Sequence, residues 1–385
     1  MAPTRLGRAD EPRGWRRPDA ETVVDRVSAR IDTFTVCQPG LEPITHDELV
    51  RLGAKCRVTH GGVIASLTWS QLALAHLQLR TATRVLVRLA RFDATNFNEL
   101  GIGLRRIDWH EWLPTDADVD VRVASSASRL YHTDAIEERV REVIGEGDGA
   151  PQRLSVRIDH NLVTVSLDAS GEALYMRGWR TEAVAAPIRE TLAAALVLWS
   201  GWDGKAPFVD PCCGSGTVAI EAAMWARRMA PGRNRSFAFE EWPCAESVEW
   251  RKLWAAVDAD VRPSGPVVHA SDIDDEAVQI TQRNAERAGV VLETRVVDVA
   301  VRANEPRGAK PGWVVTNPPY GARVGGNLKE IYAAVGRLAE PPWRLALVGA
   351  QGTPTSSFGR TWEDSIPTRN GGVPVRLLKA TTSER

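Results

Sequence analysis

The chain has 385 residues, of which 43% are hydrophobic and 25% are charged, and its formal net charge is −1. This length predicts two or three domains, and the composition is that of an ordinary globular protein. The longest apolar run, residues 193–199, is far too short to span a bilayer, which excludes an integral membrane protein. The near-neutral charge neither indicates nor excludes nucleic acid, because it averages over the whole chain.

The first half of the chain predicts an α+β unit. Residues 1–30 mix Arg with acidic residues and lack an apolar segment, so we expect a disordered leader rather than a secretory signal. Strand-like and helix-like runs then alternate over residues 31–168 and end in a hairpin with His160 and Asn161 in its turn. The order of these runs favours antiparallel strands that pack with helices.

The second half predicts an α/β domain that follows a linker. Residues 169–186 are linker-like, and Pro187 suits the first position of a helix that runs to about Trp199. Strands and helices alternate through residues 187–385, which predicts a doubly wound parallel sheet with ligands at the carboxyl ends of its strands. A Trp-rich stretch, residues 231–262, interrupts this alternation, and we expect it to pack on the same domain.

The cysteines and histidines give no support for a disulfide or a metal site. The five cysteines form no Cys-x-x-Cys pair, and the seven histidines neither cluster nor form a His-Glu-x-x-His motif. We therefore predict no metal, and a reducing cytoplasm as the location of the protein.

The stretch DPCCGSGTVAIEAA, residues 210–223, places an acid before a glycine turn and a helix. A phosphate loop is excluded because no Lys follows Gly216. GSGTVA matches the loose dinucleotide pattern, but Asp272, the acid at the next convincing strand end, lies well beyond the spacing of about 20 residues that this fold uses. Asp210 would repel a pyrophosphate, yet it can anchor a cationic amino-acid group directly or through water.

S-adenosylmethionine carries such a cationic group, and the acids of this half follow in the order that it requires. We expect Asp210 to hold the methionine end, Asp272 the ribose hydroxyls and Asp298 the adenine amino group. The sequence therefore predicts a methyltransferase that uses S-adenosylmethionine. The residues assigned to the cofactor are Asp210, Gly214, Gly216, Asp272, Ile273 and Asp298.

The stretch VVTNPPYG, residues 314–321, supplies groups that can activate an exocyclic amine. The lone pair of such an amine is delocalised into the base, so it is a poor nucleophile. The amide oxygen of Asn317 and the carbonyl of Pro318 can accept both amino hydrogens, which localises the lone pair. Pro318 and Pro319 fix the turn, and Tyr320 offers a face on which an extruded base can stack. We predict these four residues to be catalytic.

The set of motifs resembles that of the THUMP-domain class I RNA methyltransferases that modify guanine at N2, the large-subunit rRNA methyltransferase L-like group. The resemblance runs from about Phe34 to the carboxyl terminus. The stretches that carry it are TVCQPGLEPITHDEL, SRLYHTDAI, YMRGWR, APIRETLAAAL, DPCCGSGTVAIEAA, RNRSFAFEEW, SDIDDEAV, RNAERAGV and TNPPYGARV.

The resemblance implies a ferredoxin-like lead-in and a THUMP RNA-binding domain over residues 31–168, and a Rossmann-like class I methyltransferase domain over residues 187–385. The sequence departs from the family pattern in two places. Cys212 and Cys213 stand where an aromatic residue next to a Cys is expected, and Ala322 stands where the family usually carries Glu.

The resemblance also implies structured RNA as the partner. We expect RNA contacts at the residues Arg177, Arg180, Arg129 and His132. The predicted reaction is methyl transfer to the N2 atom of a guanine. We predict 23S rRNA as the substrate, with tRNA as the second choice. The alternatives are an adenine-N6 methyltransferase and a non-catalytic RNA-binding or assembly factor, while the oligomeric state stays open.

Overall fold

The computed structural model describes residues 30–184, 187–246, 248–305, 310–320 and 327–381. These residues form two seven-stranded sheets, one in each half of the chain. Most of the predicted leader, residues 1–29, lies outside the described residues, as does Ala322.

The first sheet contains the strands of the amino-terminal half. The strands are β1 (Ile31–Cys37), β2 (Lys55–Thr59), β3 (Gly62–Leu67), β4 (Ala82–Asp93), β5 (Asp118–Ser126), β6 (Pro151–Asp159) and β7 (Leu162–Asp168). The helices are α1 (Glu42–Arg51), α2 (Trp69–Gln78), α3 (Phe97–Arg105), α4 (Trp109–Trp112) and α5 (Thr133–Ile144). The strand order is β2-β3-β1-β4-β7-β6-β5. Every second side chain of β1 is buried, because one face of the sheet packs against the helices.

This half confirms the predicted α+β class but corrects one strand direction. β5 and β6 run parallel, with Val121 opposite Leu154, whereas we predicted antiparallel strands. A parallel pair needs a crossover connection, and α5 supplies it. The predicted hairpin turn is confirmed, since His160 and Asn161 have φ values of 51° and 65°, as a two-residue turn between twisted strands requires.

The second sheet contains the strands of the carboxyl-terminal half. The strands are β8 (Phe208–Asp210), β9 (Val268–Asp272), β10 (Glu293–Val296), β11 (Trp313–Thr316), β12 (Arg344–Ala350), β13 (Trp362–Asn370) and β14 (Val373–Ala380). The helices are α6 (Glu190–Ser200), α7 (Thr217–Ala226), α8 (Trp250–Ala259), α9 (Asp275–Ala288), α10 (Val299–Arg302) and α11 (Leu328–Leu338). The strand order is β10-β9-β8-β11-β12-β14-β13.

This order confirms the predicted α/β class and corrects the predicted all-parallel sheet. β8 pairs in parallel with both β9 and β11, so the carboxyl ends of these three strands meet at one edge of the sheet. β14 runs antiparallel to β12, and β13 runs antiparallel to β14. The sheet is therefore mixed, and its parallel part carries the edge where ligands of such folds bind.

Helix α6 begins at Glu190, three residues after the predicted start at Pro187. Arg180 fixes this start, because its Nε atom lies 3.0 Å from the Glu190 carboxylate and its Nη1 atom donates to the carbonyl of Ile188 at 2.7 Å. The Arg180 side chain is only 16% exposed. Arg180 thus has partners within the protein, and its RNA contact stays a prediction.

The aromatic side chains of the Trp-rich insertion, residues 231–262, pack on the first domain rather than on the second, which corrects our prediction. The ring of Phe239 lies 4.7 Å from that of His76, and the ring of Trp242 lies 6.5 Å from that of Trp69. His76 and Trp69 both belong to α2, and all four side chains are buried. The insertion therefore completes the core of the amino-terminal domain.

A buried ion cluster also joins the two halves. Glu221 of α7 accepts from Arg80, which precedes β4, and from Arg177 of the linker, both at 3.3 Å. Arg177 is 2% exposed and also donates to the carbonyl of Leu174. Removing one member of such a cluster leaves a buried charge and costs roughly 3–5 kcal/mol. Arg177 thus joins the domains, which contradicts its predicted RNA contact.

Within the described residues, no helix has the length and apolar character to cross a membrane. In the same residues, no three His, Cys, Asp or Glu side chains group as metal ligands would. All five cysteines are free thiols.

Candidate active site

A cavity of about 560 Å³ opens at the carboxyl ends of β8, β9 and β11. The glycine loop after β8, the acid that ends β9 and the Asn-Pro-Pro-Tyr turn after β11 all line it, as do Val184 of the linker and Pro187 and Ile188, which follow the linker. The parallel strands thus bring together at the cavity all four residues predicted for catalysis and all those predicted for the cofactor except Gly216, which does not line it.

Asp210 is buried at the end of β8, where it is 1% exposed. Its Oδ1 atom accepts a hydrogen bond from Thr316 Oγ1 at 2.6 Å and a longer one from the Cys212 amide. Burial raises the pKa of this carboxyl to about 7, and the nearby charge of Asp272 acts in the same direction. The Thr316 bond connects the end of β8 to the end of β11, directly before Asn317.

The glycine loop has a backbone that other residues adopt only with strain. Gly214 and Gly216 have φ values of 54° and 84°. A Cβ atom at Gly214 would lie 3.2 Å from Val184, and one at Gly216 would lie 2.8 Å from Thr281. The loop therefore needs glycine at both positions, for its own turn and for the close approach of its neighbours.

Two residues of α9 that sequence reasoning missed hold this loop in place. Thr281 Oγ1 donates to the carbonyl of Gly214 at 2.8 Å, and Asn284 Nδ2 donates to that of Ser215 at 3.0 Å. Their spacing of three residues places them on one face of the helix. The sequence predicts α9 but does not indicate which of its faces meets the loop.

The two acids farther along the sheet have different local roles. Asp272 accepts from the Gly214 amide at 2.9 Å through Oδ2 and from the Asp274 amide through Oδ1. Asp298 Oδ1 caps α10 by accepting from the Ala300 amide at 2.7 Å. Ile273 is 68% exposed and lines the cavity between them, so an apolar face is available to a flat ring.

The turn after β11 presents an unpaired acceptor. Asn317 Oδ1 is buried and has no hydrogen-bond partner among the described residues. A buried acceptor of this kind normally has a partner, so its position on the cavity wall favours a ligand donor at this point. Tyr332 Oη donates to the carbonyl of Pro319 at 3.0 Å and thereby supports the turn.

The two adjacent cysteines are both sequestered. Burial raises the pKa of the Cys212 and Cys213 thiols, so both stay neutral. Cys213 Sγ lies 3.6 Å from Thr281 Oγ1, and Cys212 lines the cavity. The cysteines therefore pack beside the loop as small apolar side chains.

The linker closes one side of the cavity and is fixed to α9. Glu182 pairs with Arg283 and Arg287, each at 2.6 Å. The hydrogen bond from Arg283, and next that from Arg287, lower the pKa of Glu182 to about 2. The pairs therefore persist at any physiological pH. They hold the chain that leads to Val184 against the glycine loop.

The remaining two residues predicted to bind RNA lie on the surface. Arg129 and His132 are exposed in the segment between β5 and α5. Between them in the chain stands Tyr131, which is 66% exposed and whose ring lies 4.1 Å from that of His132. Tyr131 was not among the predicted site residues, and an exposed aromatic near an Arg is typical of RNA-binding surfaces.

The mixed sheet with its central parallel strands, the glycine loop and the ordered acids define a class I S-adenosylmethionine-dependent methyltransferase. Profiles of two families match the chain. The RMKL-like methyltransferase domain matches residues 177–359, and the RlmL ferredoxin-like domain matches residues 32–86.

The similar proteins agree with this class. The chain is 34% identical over 340 residues to "Putative RNA methyltransferase YpsC" of Bacillus subtilis (strain 168). The matched region covers 83% of this chain and 88% of that protein. It is 33% identical over 377 residues to the Ribosomal RNA large subunit methyltransferase K/L of Magnetococcus marinus, which covers 90% of this chain and 52% of that protein. The chain thus spans about half the length of this K/L relative.

A solved structure, SMU.472 complexed with SAH, matches with a TM-score of 0.82 and 28% identity over 93% of this chain and 99% of that one. The chain belongs to the RMKL-like methyltransferase family. The predicted cofactor, S-adenosylmethionine, is confirmed.

The raised pKa of Asp210 predicts a pH-dependent affinity for the cofactor. S-adenosylmethionine carries a net positive charge, so it favours the ionised carboxylate, and binding below pH 7 must release a proton. We expect its affinity to fall by up to about tenfold for each pH unit below about 7 and to level off above it. Calorimetry at pH 6, 7 and 8 measures this slope.

The matched control is Asp210→Asn, which keeps the shape of the side chain and cannot ionise. Its affinity should be lower and flat across the same pH range. An equal slope in the variant and the wild type would assign the proton to another group.

Proposed function

We propose that the protein is an RNA methyltransferase that transfers the methyl group of S-adenosylmethionine to the exocyclic N2 atom of a guanine in large-subunit rRNA. The observation that carries the proposal is Asn317 Oδ1, a buried acceptor without a described partner on the wall of the cofactor cavity. An amine that enters the cavity can donate to this atom.

The chemistry needs an amine whose lone pair points at the methyl donor. Bound S-adenosylmethionine supplies an electrophilic methyl group. Asn317 Oδ1 and the carbonyl of Pro318 accept the two amino hydrogens, which localises the lone pair, and the ring of Tyr320 stacks on the base. Asp210 and Asp272 hold the cationic and ribose parts of the cofactor at the adjoining strand ends. Catalysis rests on positioning and electrostatics.

One feature of the cavity favours guanine over adenine. Glu330, in the first turn of α11, lines the same cavity as Asn317. A carboxylate can accept from the N1–H group of guanine, and adenine has no hydrogen at N1. Reading a flipped base through its pairing edge is the usual mode of such enzymes. Glu330 therefore supports guanine, and adenine N6 remains the alternative for the base.

The amino-terminal domain supplies the grip on RNA in this proposal. Arg129, Tyr131 and His132 present a guanidinium and two rings on one exposed segment, a combination suited to phosphate contact and base stacking. We infer that residues 31–168 include the THUMP domain and that the enzyme acts in the cytoplasm, where its free thiols stay reduced. Large-subunit rRNA is preferred to tRNA because the K/L relatives are named for it.

The test is methyl transfer by the full chain to deproteinised RNA from cells that lack the gene. The RNA is separated into large-subunit rRNA and tRNA, and the labelled nucleosides are analysed. We expect N2-methylguanosine in the rRNA fraction only, and no incorporation into rRNA from cells that carry the gene.

Each other product contradicts one part of the proposal. N6-methyladenosine would overturn the base, and label in tRNA would overturn the RNA. If neither fraction were labelled while calorimetry showed bound cofactor and bound RNA, the protein would be an RNA-binding factor without this activity.

A further inference from the structure

Asn370 connects the end of β13 to the candidate catalytic turn. It is the last residue of the strand and is 8% exposed. Its Nδ2 atom donates to the hydroxyl of Tyr320 at 2.9 Å and lies 3.4 Å from the carbonyl of Pro187. One amide group thus reaches both the turn and Pro187, the cavity-lining residue that directly follows the linker.

The Tyr320 side chain is held at both ends. Its ring packs against the core of the methyltransferase domain and lines the cavity. Burial raises the pKa of the phenol, so the hydroxyl is neutral and can accept from Asn370. A hydrogen bond at the ring tip, added to the packing of the ring, restricts the direction in which the side chain points.

The same end of β13 is in contact with the amino-terminal domain. Gln38, which follows β1, donates from Nε2 to the carbonyl of Arg369 at 3.0 Å. A Cβ atom at Gly40 would lie 2.1 Å from the carbonyl oxygen of Pro367. Glycine is therefore required where the segment after β1 contacts β13. The amino-terminal domain thus contacts β13 at residues directly before Asn370.

We propose that Asn370 is a positioning residue that fixes the place of the Tyr320 ring in the cavity wall, where the ring stacks on the target base. Through the hydrogen bond from Gln38 to Arg369, it couples this ring to the amino-terminal domain. The inference rests on the proposed function only in that Tyr320 contacts the base. The hydrogen bond itself can be tested without any substrate.

The substrate-free test uses protein labelled with 3-fluorotyrosine. The chain has four tyrosines, and Tyr320→Phe assigns the fluorine resonance of Tyr320 by its disappearance. In Asn370→Ala we expect that resonance to shift and broaden, while those of Tyr131, Tyr175 and Tyr332 keep their positions. An unchanged Tyr320 resonance would overturn the proposal.

The kinetic test is a double-mutant cycle. Asn370→Ala and Tyr320→Phe should each lower the single-turnover rate on rRNA by about fivefold, the effect of one hydrogen bond, with cofactor affinity within about twofold. The double variant should lose no more than either single variant, because both remove the same bond. Losses that multiply would show independent roles and overturn the proposal.

Thr368→Ala is the matched control. Thr368 lies two residues earlier on the same strand, is 6% exposed, and its Oγ1 atom has no hydrogen-bond partner among the described residues. This variant should keep the wild-type rate and the wild-type Tyr320 resonance. A fivefold loss here would mean that any loosening of β13 slows the enzyme, which contradicts a specific role for Asn370. A shifted Tyr320 resonance with no methylation of any RNA would refute the proposed function alone.

Discussion

Asn317→Ala is expected to slow single-turnover methyl transfer by a factor of about 100 or more, the scale found when a preorganised group aimed at the transition state is lost. The reason is that Asn317 Oδ1 is the unpaired acceptor on the cavity wall. The affinity for S-adenosylmethionine should change by no more than about threefold, since the cofactor acids are untouched. Rapid-quench assays and calorimetry measure the two quantities.

Asn304→Ala is the control for this prediction. Asn304 is exposed just after α10, where its Nδ2 atom donates to the carbonyl of Ala300 at 3.1 Å. The control loses the same side chain away from the turn, so its rate should equal that of the wild type. A wild-type rate in Asn317→Ala would refute the proposed activation of the amine.

Gly214→Val is expected to abolish cofactor binding, with an affinity loss of about 100-fold or more. A β-branched residue is strained at a φ of 54°, and its Cβ atom would lie 3.2 Å from Val184. Its methyl groups would also occupy the cavity that the loop lines. Calorimetry with S-adenosylmethionine measures the loss, and thermal unfolding shows whether the variant folds.

Gly359→Val separates backbone strain from occupation of the site. Gly359 has a φ of 62°, and a Cβ atom there meets no described atom within 4 Å. This variant carries a similar strain away from the cavity, so it should lose some stability and bind the cofactor normally. If both variants lost affinity equally, general destabilisation would explain the result for Gly214.

The sequence predicts which residues meet at the cavity because they lie in short segments of the chain. Asp210, the glycines and the Asn317 turn each follow a strand whose apolar run is evident, and parallel strands bring their carboxyl ends together. The sequence also contained Thr316 directly before Asn317, but only the sheet order places it beside Asp210.

Features that depend on distant partners could not be predicted. Arg177 is a charged residue in a linker-like stretch, which predicts a solvent-exposed side chain. It is buried because it pairs with Glu221, 44 positions away. β13 lacks a clear apolar pattern, because most of its side chains are exposed or half-buried. Its pairing with β14 therefore gave no periodic signal, and the contact of Asn370 with Tyr320 stayed hidden.

The aromatic insertion has a consequence for how this family can be divided or recombined. Phe239 and Trp242 arise in the middle of the methyltransferase half, yet they fill the core of the amino-terminal half. If the chain were cut at the linker, the methyltransferase half would expose these aromatic side chains to solvent. The amino-terminal half would lose them from its core and keep a cavity there. New specificity in such a chain is therefore expected to arise by exchange of surface residues rather than by shuffling of whole domains.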